Sequence, residues 1–230
     1  MANLSLILLS GGLDSSLSLL IARQESQLQC AITINYGQKS FIQEMNAAAK
    51  ICGHYHIQHQ TIQIPFLADQ KNHPFFNNDL KCPQPELNEL DNLSTTQNTA
   101  KAVWVPNRNG VFINIAAAIA EQQNINSIYV GFNAEEATTF PDNSQDFITA
   151  INNSLSYSTL NQVKVKCPTI EMHKTEILNN LITQDFPLPY LWSCYNNQDN
   201  MCGLCESCKR LKRALINNQQ QPLTQSLFNN

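Results

Sequence analysis

Apolar runs of strand length alternate with segments of helical periodicity in the first third of the chain. Residues 4–9 carry no charge and end at Ser10-Gly11-Gly12, which is typical of a strand buried on both faces. Leu17, Leu20 and Ile21 then recur at helical spacing, and residues 31–36 form the next apolar run. The pattern predicts a strand, a helix over about residues 14–24, and a second strand.

This alternation continues through the chain. We predict further helices over residues 40–51, 110–123, 144–157, 173–184 and 206–216, and strands over 57–64, 127–132 and 163–166. Ser40 and Gln43 predict a capping box at the start of the helix over 40–51. Short strands separated by helices predict right-handed βαβ units. The expected fold class is therefore α/β, with an open doubly wound parallel sheet.

Two regions lack this regularity. Residues 66–105 are rich in proline and asparagine, which indicates a long loop or lid. Residues 217–230 are rich in glutamine and asparagine, which indicates a flexible tail. We therefore predict a main domain over residues 1–190, a cysteine-containing segment with a terminal helix over 191–216, and the tail.

Composition limits the classes of function. Charged residues make up 14% of the chain, against the usual ~25%, and the net charge is −4. No direct nucleic-acid binding is expected because such proteins carry a basic surface. No apolar stretch has the length of a membrane span, and the first residues lack a signal-peptide pattern. We expect a cytoplasmic protein.

Four of the eight cysteines lie close together near the C-terminus, with the spacing C-x7-C-x2-C-x2-C. Cys194, Cys202, Cys205 and Cys208 can together surround a tetrahedral zinc ion. The alternatives are disulfides, which need an oxidising compartment, and an iron–sulfur cluster. Because four thiolates leave no open coordination position, we expect the metal to be structural.

The loop after the first strand is a candidate phosphate site. Gly11 and Gly12 let the backbone approach an anion, and Ser10, Ser15 and Ser16 add hydroxyl donors. The alternative is a turn in which Asp14 or Ser15 only caps the following helix. The residues alone leave both interpretations open.

The loop sequence Ser10-Gly11-Gly12-Leu13-Asp14-Ser15 resembles the S-G-G-x-D-S loop of the N-type ATP pyrophosphatases. Residues 35–39, 105–109, 130–134, 140–142 and 192–195, with the closing cysteines, are similar in order to segments of the 7-cyano-7-deazaguanine synthase family. The resemblance covers about residues 4–212. It implies an adenine nucleotide alpha-hydrolase-like fold, with an ATP-pyrophosphatase-type domain over residues 1–190 and a zinc-binding segment over 191–216.

The resemblance also implies an activity. An ATP-dependent ligase would convert 7-carboxy-7-deazaguanine and ammonia to 7-cyano-7-deazaguanine (preQ0) through adenylation of the carboxyl group, in queuosine biosynthesis. The expected cofactors are ATP, Mg²⁺ and structural Zn²⁺, and a homodimer is expected.

The resemblance assigns roles to particular residues. Ser10, Ser15 and the amides of Gly11, Gly12 and Leu13 would hold pyrophosphate, with Leu9 and Ser16 at the ends of the loop. Asp14 would bind Mg²⁺ or fix the loop, Arg108 would contact phosphate or the substrate carboxylate, and Lys174 would contact phosphate. Asn109, Asn133 and Asp142 are candidates for reading the polar edge of the base. The alternatives are exposed cations for Arg108 and Lys174, and structural turns for the other three.

The chain departs from the family pattern at two places. The family usually has Pro-Gly-Arg-Asn, and this chain has Asn107 in place of the glycine. The family also usually has Tyr-Pro-Asp-Cys-Arg, and this chain has Asn143 and Ser144 in place of the cysteine and the arginine. The second change removes a guanidinium, which serine cannot replace in carboxylate recognition. A diverged paralogue therefore stays open as an alternative. Two others are a tRNA-thiolating relative, which the scattered cysteines and the net charge of −4 disfavour, and a nucleotide-sensing or partner-binding protein with an inactive site, which the intact Ser10–Ser16 loop disfavours.

Overall fold

The sheet is parallel throughout, and its strands lie in the order β3-β2-β1-β4-β5. The computed structural model describes residues 3–228 of the chain. The strands are β1 (Leu4–Leu8), β2 (Gln27–Asn35), β3 (Gln58–Gln63), β4 (Ser127–Tyr129) and β5 (Lys164–Lys166). The order reverses between β1 and β4, which creates a crevice at the carboxyl ends of these two strands.

Helices cover both faces of this sheet. They are α1 (Leu13–Glu25), α2 (Phe41–Tyr55), α3 (Leu93–Val103), α4 (Arg108–Gln122), α5 (Ala134–Ala137), α6 (Gln145–Ser158), α7 (Lys174–Thr183), α8 (Glu206–Asn217) and α9 (Gln221–Leu227). Leu6 and Ile7 point to opposite faces of β1, and both are completely buried. The predicted α/β class with a doubly wound parallel sheet is confirmed.

The segment over residues 66–105 is more regular than predicted. It contains α3 and two short 3₁₀ helices, Pro65–Ala68 and Leu87–Glu89. The Asn92 side chain accepts a hydrogen bond from the Thr95 amide at 3.1 Å and so begins α3. Ala100 and Val103 are buried, but serine, threonine and glutamine fill most of the helix. The prediction of a loop is therefore wrong for α3, because its apolar stripe is too sparse to show a period.

The polar C-terminal tail also contains structure. Phe228, at the end of α9, is 3% exposed, and the Met201 amide donates to the Leu227 carbonyl at 3.1 Å. The Lys212 ammonium lies 4.8 Å from the centre of the Phe228 ring. The expectation of a flexible tail is wrong for residues 221–228, and residues 229–230 lie outside the described part of the chain.

The predicted capping box at the start of α2 is also wrong. The Ser40 hydroxyl donates to the Glu44 carboxylate at 2.6 Å, and the Gln43 amide donates to the Gln198 carbonyl at 2.7 Å. Neither side chain caps the backbone of α2. Their partners come from the next helical turn and from the cysteine segment.

Candidate active site and metal centre

The loop between β1 and α1 lies in the crevice where the strand order reverses. Gly11 has a φ of +75°, and a Cβ atom there would lie 2.5 Å from the Ala47 Cβ. A Cβ on Gly131, just after β4, would collide with the Ser15 backbone. Only glycine fits either position without movement of its neighbours. The two glycines let the loop pass between α2 and the end of β4.

The first turn of α1 keeps its amide groups available for a ligand. Gly12 is the N-cap residue, and within residues 3–228 no side chain caps this helix. Ser10 Oγ and Ser15 Oγ lie 3.3 Å apart, and Ser15 Oγ donates to the Gly12 carbonyl at 3.3 Å. The alternative that Asp14 or Ser15 only caps the helix is therefore wrong. A helix N-terminus with unused N–H groups favours an anion.

A buried cluster of charges lies beside this loop. The Lys174 ammonium is 2.8 Å from Asp14 Oδ2 and 2.8 Å from Glu136 Oε1, and its side chain is 7% exposed. The side-chain amide of Asn133 donates to Asp14 Oδ2 at 3.2 Å. Asp14 Oδ1 is buried and has no hydrogen-bond partner among the described residues. The interpretation of Lys174 as an exposed cation is thus wrong.

The pKa values in this cluster are shifted in different directions. Burial is the largest effect on Asp14 and raises its pKa, although Lys174 opposes the shift. Burial also acts to raise the pKa of Glu136, but the Lys174 ammonium lowers it to about 2. The two carboxylates in turn raise the pKa of Lys174 against the effect of burial. At neutral pH the cluster therefore holds a charged lysine.

A cavity of about 240 Å³ opens from the loop toward α4. Its apolar lining includes Leu9, Ile32, Ile34 and Phe112. Its polar lining includes Ser10, Asp14, Glu44, Arg108, Asn109 and Asn143. A second cavity of about 160 Å³ shares much of this polar lining and extends to Lys174 and to residues 192–195.

Arg108 faces both cavities from the first residue of α4. Its Nε atom donates to Asn109 Oδ1 at 3.3 Å, and its guanidinium carbon lies 6.0 Å from the centre of the Tyr36 ring. Burial acts to lower its pKa, but Tyr36 and Asp142 raise it, so the group stays charged. Arg108 is positioned to contact an anion in the cavity.

The predicted base-reading residues do not lie together. Asn109 lines the larger cavity and donates to Asn143 Oδ1 at 3.0 Å. Asn133 is completely buried, lines neither cavity and caps α5 by accepting from the Glu136 amide at 3.1 Å. The Asp142 side chain also lines neither cavity. Among the three, only Asn109 therefore faces the cavity.

The remaining residues predicted for the loop also differ in whether they line a cavity. Leu9 lines the larger cavity, and Gly12 and Leu13 line the smaller one. Ser16 is completely buried, lines neither cavity, and its hydroxyl has no partner among the described residues. Ser16 thus lies behind the loop.

Several cavity residues were not predicted from the sequence. They include Tyr36, Glu44, Phe75, Glu136 and Tyr195. Glu44 precedes the buried residues Ala47, Ala48 and Ile51 at helical spacing, which would have placed it on the inner face of α2. Glu136 lies just after residues 130–134, and Tyr195 is the last of residues 192–195, two segments that are similar in sequence to the synthase family.

The four C-terminal cysteines form a buried cluster. Their sulfur atoms all lie within 4.8 Å of one another, and the Cys202 and Cys208 sulfurs are 3.9 Å apart. The amides of Leu204 and Cys205 both donate to Cys202 Sγ at 3.4 Å. Gly203 allows this turn with a φ of +69°. The donor set fits a four-coordinate metal ion such as zinc, with no position left for a substrate.

The sequence profile described as "Queuosine biosynthesis protein QueC" matches residues 4–219. The chain belongs to this family. Curated relatives named 7-cyano-7-deazaguanine synthase are 45% identical over 216 residues in Methanosarcina mazei and 45% identical over 210 residues in Pelotomaculum thermopropionicum. These alignments cover 93% and 91% of this chain, and 94% and 95% of the relatives.

Among the helices of residues 3–228, none combines the length and apolar character that a bilayer span requires.

The cysteine segment forms part of the cavity wall. Tyr195, next to Cys194, lines both cavities, and its ring centre lies 4.8 Å from that of Phe75. The Trp192 amide donates to the Gly11 carbonyl at 2.9 Å. The cysteine cluster is therefore next to residues that close the site on one side.

A second connection joins the cysteine segment to the charged cluster. Arg210 on α8 contacts Glu135 at 2.7 Å and Glu206 at 2.8 Å, and Arg213 contacts Glu135 at 2.8 Å. The other oxygen of Glu135 accepts from the Lys174 amide at 2.9 Å. Helix α8 is thus linked through one buried glutamate to the start of α7.

The structure accommodates the departures from the family pattern. Asn107 has a φ of 53°, a left-handed conformation that glycine adopts freely and asparagine tolerates. Ser144 caps α6 by accepting from the Phe147 amide at 3.1 Å. Asn143 is 3% exposed and lines the larger cavity. Of these three changes, the one at Asn143 directly alters the cavity wall.

Proposed function

We propose that the protein is a 7-cyano-7-deazaguanine synthase that converts 7-carboxy-7-deazaguanine, ammonia and ATP to the nitrile in queuosine biosynthesis. The observation that carries this proposal is the uncapped Ser10–Ser16 loop, which opens into a cavity containing Arg108. Relatives bearing this name are 45% identical over almost the whole chain.

ATP binds with its phosphates at the N-terminus of α1. The backbone amides after Gly11 and the hydroxyls of Ser10 and Ser15 hold the departing pyrophosphate. Ile32 and Ile34, in the apolar lining of the larger cavity, suit the adenine ring. Lys174 and Arg108 supply positive charge near the phosphates.

A divalent cation such as Mg²⁺ fits beside Asp14. Its Oδ1 atom is a buried acceptor without a partner among the described residues, and magnesium prefers oxygen ligands. When bound, Mg²⁺ neutralises charge on the phosphates. Lys174 and Asn133 hold the other Asp14 oxygen and so orient this carboxylate.

The reaction begins at the carboxylate of the substrate. One carboxylate oxygen attacks the α-phosphorus of ATP, the bond to the β-phosphate breaks, and pyrophosphate leaves. Ammonia then attacks the acyl carbon, AMP leaves and a proton is lost, which gives the amide. The amide oxygen then attacks a second ATP in the same way, with departure of pyrophosphate and loss of one N–H proton. Loss of AMP and of the second N–H proton from this adenylated imidate gives the nitrile. Arg108 orients the carboxylate for the first attack.

The cysteine cluster holds zinc in a structural role. Its four sulfurs leave no coordination position for the substrate, and the segment positions Tyr195 and Trp192 at the cavity. We also expect the protein to be cytoplasmic and to form a homodimer. Both stay predictions, and sedimentation of the purified protein would test the oligomeric state.

The thiolation alternative lacks a poised thiol in the nucleotide-binding half. Burial raises the pKa of Cys52 to about 12 and that of Cys82 to about 11. Burial also raises the pKa of Cys30 and Cys167. Since the thiolate is the nucleophile, these four side chains are unreactive at neutral pH.

The test is a turnover assay with Mg-ATP, ammonium chloride and 7-carboxy-7-deazaguanine, read by mass spectrometry. We expect the nitrile and AMP to form together, and no AMP when the deazaguanine is omitted. Absence of both nitrile and substrate-dependent AMP would contradict the proposal. AMP formation that depends on tRNA would favour the thiolating alternative, and AMP formation with another heterocyclic acid would favour a diverged paralogue.

A further inference from the structure

Glu44 presents a half-buried carboxylate to the cavity and has no part in the ATP site proposed above. It lies in the first turn of α2 and lines both cavities. Within residues 3–228 no lysine, arginine or histidine forms an ion pair with it. A partly desolvated carboxylate without an ion-pair partner needs neutral hydrogen-bond donors.

Two neutral side chains fix its orientation. The Ser40 hydroxyl donates to Oε1 at 2.6 Å, and the Gln38 amide donates to Oε2 at 3.0 Å. The Gln38 side chain in turn accepts a hydrogen bond from the backbone amide of Tyr36 at 3.0 Å and donates one to the backbone carbonyl of Ile34 at 3.1 Å. Each carboxylate oxygen accepts about two hydrogen bonds, so one position on each oxygen remains for a ligand.

The walls around Glu44 suit a flat ring. Tyr36 and Phe112 lie 5.2 Å apart between ring centres, and Phe75 and Tyr195 lie 4.8 Å apart. All four rings line the larger cavity. A rigid carboxylate bordered by aromatic side chains is an arrangement that binds a heteroaromatic ring by its polar edge.

The chemistry of the ring edge decides which base fits. A guanine-type ring has two adjacent donors, the N1–H and the 2-amino group, which match the two oxygens of a carboxylate. Adenine has an acceptor at N1 beside its 6-amino donor, so a carboxylate would face one lone pair. We infer that Glu44 binds the N1–H and 2-amino edge of the 7-deazaguanine substrate and determines selectivity for it. This inference rests on the proposed function for the identity of the substrate.

The test measures binding, so it does not require turnover. Calorimetry with a non-hydrolysable ATP analogue and Mg²⁺ would compare 7-carboxy-7-deazaguanine with the analogue that lacks the 2-amino group. We expect the wild-type protein to bind the complete base at least tenfold more tightly. Glu44→Gln should weaken that binding by about 10- to 100-fold, because charged hydrogen bonds are lost, and should abolish the preference for the 2-amino group.

The matched control is Glu171→Gln, which makes the same change at an exposed position. It should leave both affinities within twofold of the wild type. If Glu44→Gln does not fold, as judged by circular dichroism, the comparison of the two bases on the wild-type protein still decides the inference. Equal wild-type affinity for both bases would overturn it.

The remaining outcomes separate this inference from the proposed function. Glu44-dependent binding without nitrile formation would reject the synthase activity and support the role of Glu44. Nitrile formation with unchanged base binding in Glu44→Gln would reject the role of Glu44 only. A variant that raises the KM for ammonium alone would assign the carboxylate to ammonium and would also overturn the inference.

Discussion

Replacement of Lys174 by methionine tests the charged cluster at the phosphate loop. The substitution keeps the length of the side chain but leaves Asp14 and Glu136 without their shared cation, which lies 2.8 Å from each carboxylate. We expect the free energy of unfolding at pH 7 to fall by about 3–5 kcal/mol, since removal of one partner from a buried ion pair leaves uncompensated charge.

The size of this effect follows from the pKa of Glu136. A decrease from 4.5 to about 2 corresponds to about 3 kcal/mol of favourable interaction. Because the Glu136 side chain is 30% exposed, solvent reduces its share to about 2 kcal/mol. Asp14 is only 13% exposed, and its pKa is raised even with Lys174 present. Removal of the Lys174 ammonium from beside Asp14 accounts for the rest of the expected decrease in the free energy of unfolding.

The sign of the pH dependence distinguishes this explanation from a simple packing defect. In the wild type, the contribution of Glu136 is present above pH 4.5 and is lost as the pH falls toward about 2. In the variant the Lys174 ammonium no longer opposes the effect of burial, which raises the pKa of both carboxyl groups, so the defect should shrink as they become protonated. The loss of stability should therefore be larger at pH 7.5 than at pH 5.

The assay is urea unfolding followed by the fluorescence of Trp104 and Trp192, at both pH values. The control is Lys50→Met, which removes an exposed lysine from α2 and should change stability by less than about 0.5 kcal/mol. An equal loss for Lys174→Met at pH 5 and pH 7.5 would refute the electrostatic reasoning.

Three further substitutions test other parts of the site. Gly11→Ala should weaken binding of a fluorescent ATP analogue more than tenfold, because Gly11 has a positive φ and an added Cβ would collide with Ala47 of α2. Gly53→Ala is the control and should leave this binding unchanged, because a Cβ at Gly53 would meet no atom within 4 Å. Cys205→Ser should lower the zinc content measured by mass spectrometry to well below one ion per chain, and Cys82→Ser should leave it unchanged. Arg210→Met should lower stability by about 2–4 kcal/mol and reduce ATP cleavage, and unchanged values of both would reject its proposed link to α7.

The central part of the fold could be predicted because its signals are local. Residues 4–9 form an uncharged run that ends just before two glycines, and this pattern alone located β1 and the loop that follows it. The resemblance to the N-type ATP pyrophosphatases was needed to predict that this loop binds phosphate. The start of β2 was missed because its first residues, from Gln27, are polar at the end of the sheet. Helices α3 and α9 were missed because their stability depends on a few buried contacts, such as Val103 and Phe228.

The site was less predictable because it joins distant segments. The Lys174 ammonium meets Asp14 across 160 positions of sequence, and Arg210 meets Glu135 across 75 positions. No local period encodes such pairs. The resemblance to the synthase family identified Lys174, whereas Glu44 could only be recognised once the fold had placed its carboxylate in the cavity.

The contact between the Trp192 amide and the Gly11 carbonyl has a consequence for protein synthesis. Trp192 and Tyr195, which provide one wall of the smaller cavity, are synthesised long after Gly11. The loop between β1 and α1 therefore leaves the ribosome before that wall exists. The site stays open on that side until the cysteine segment has been translated.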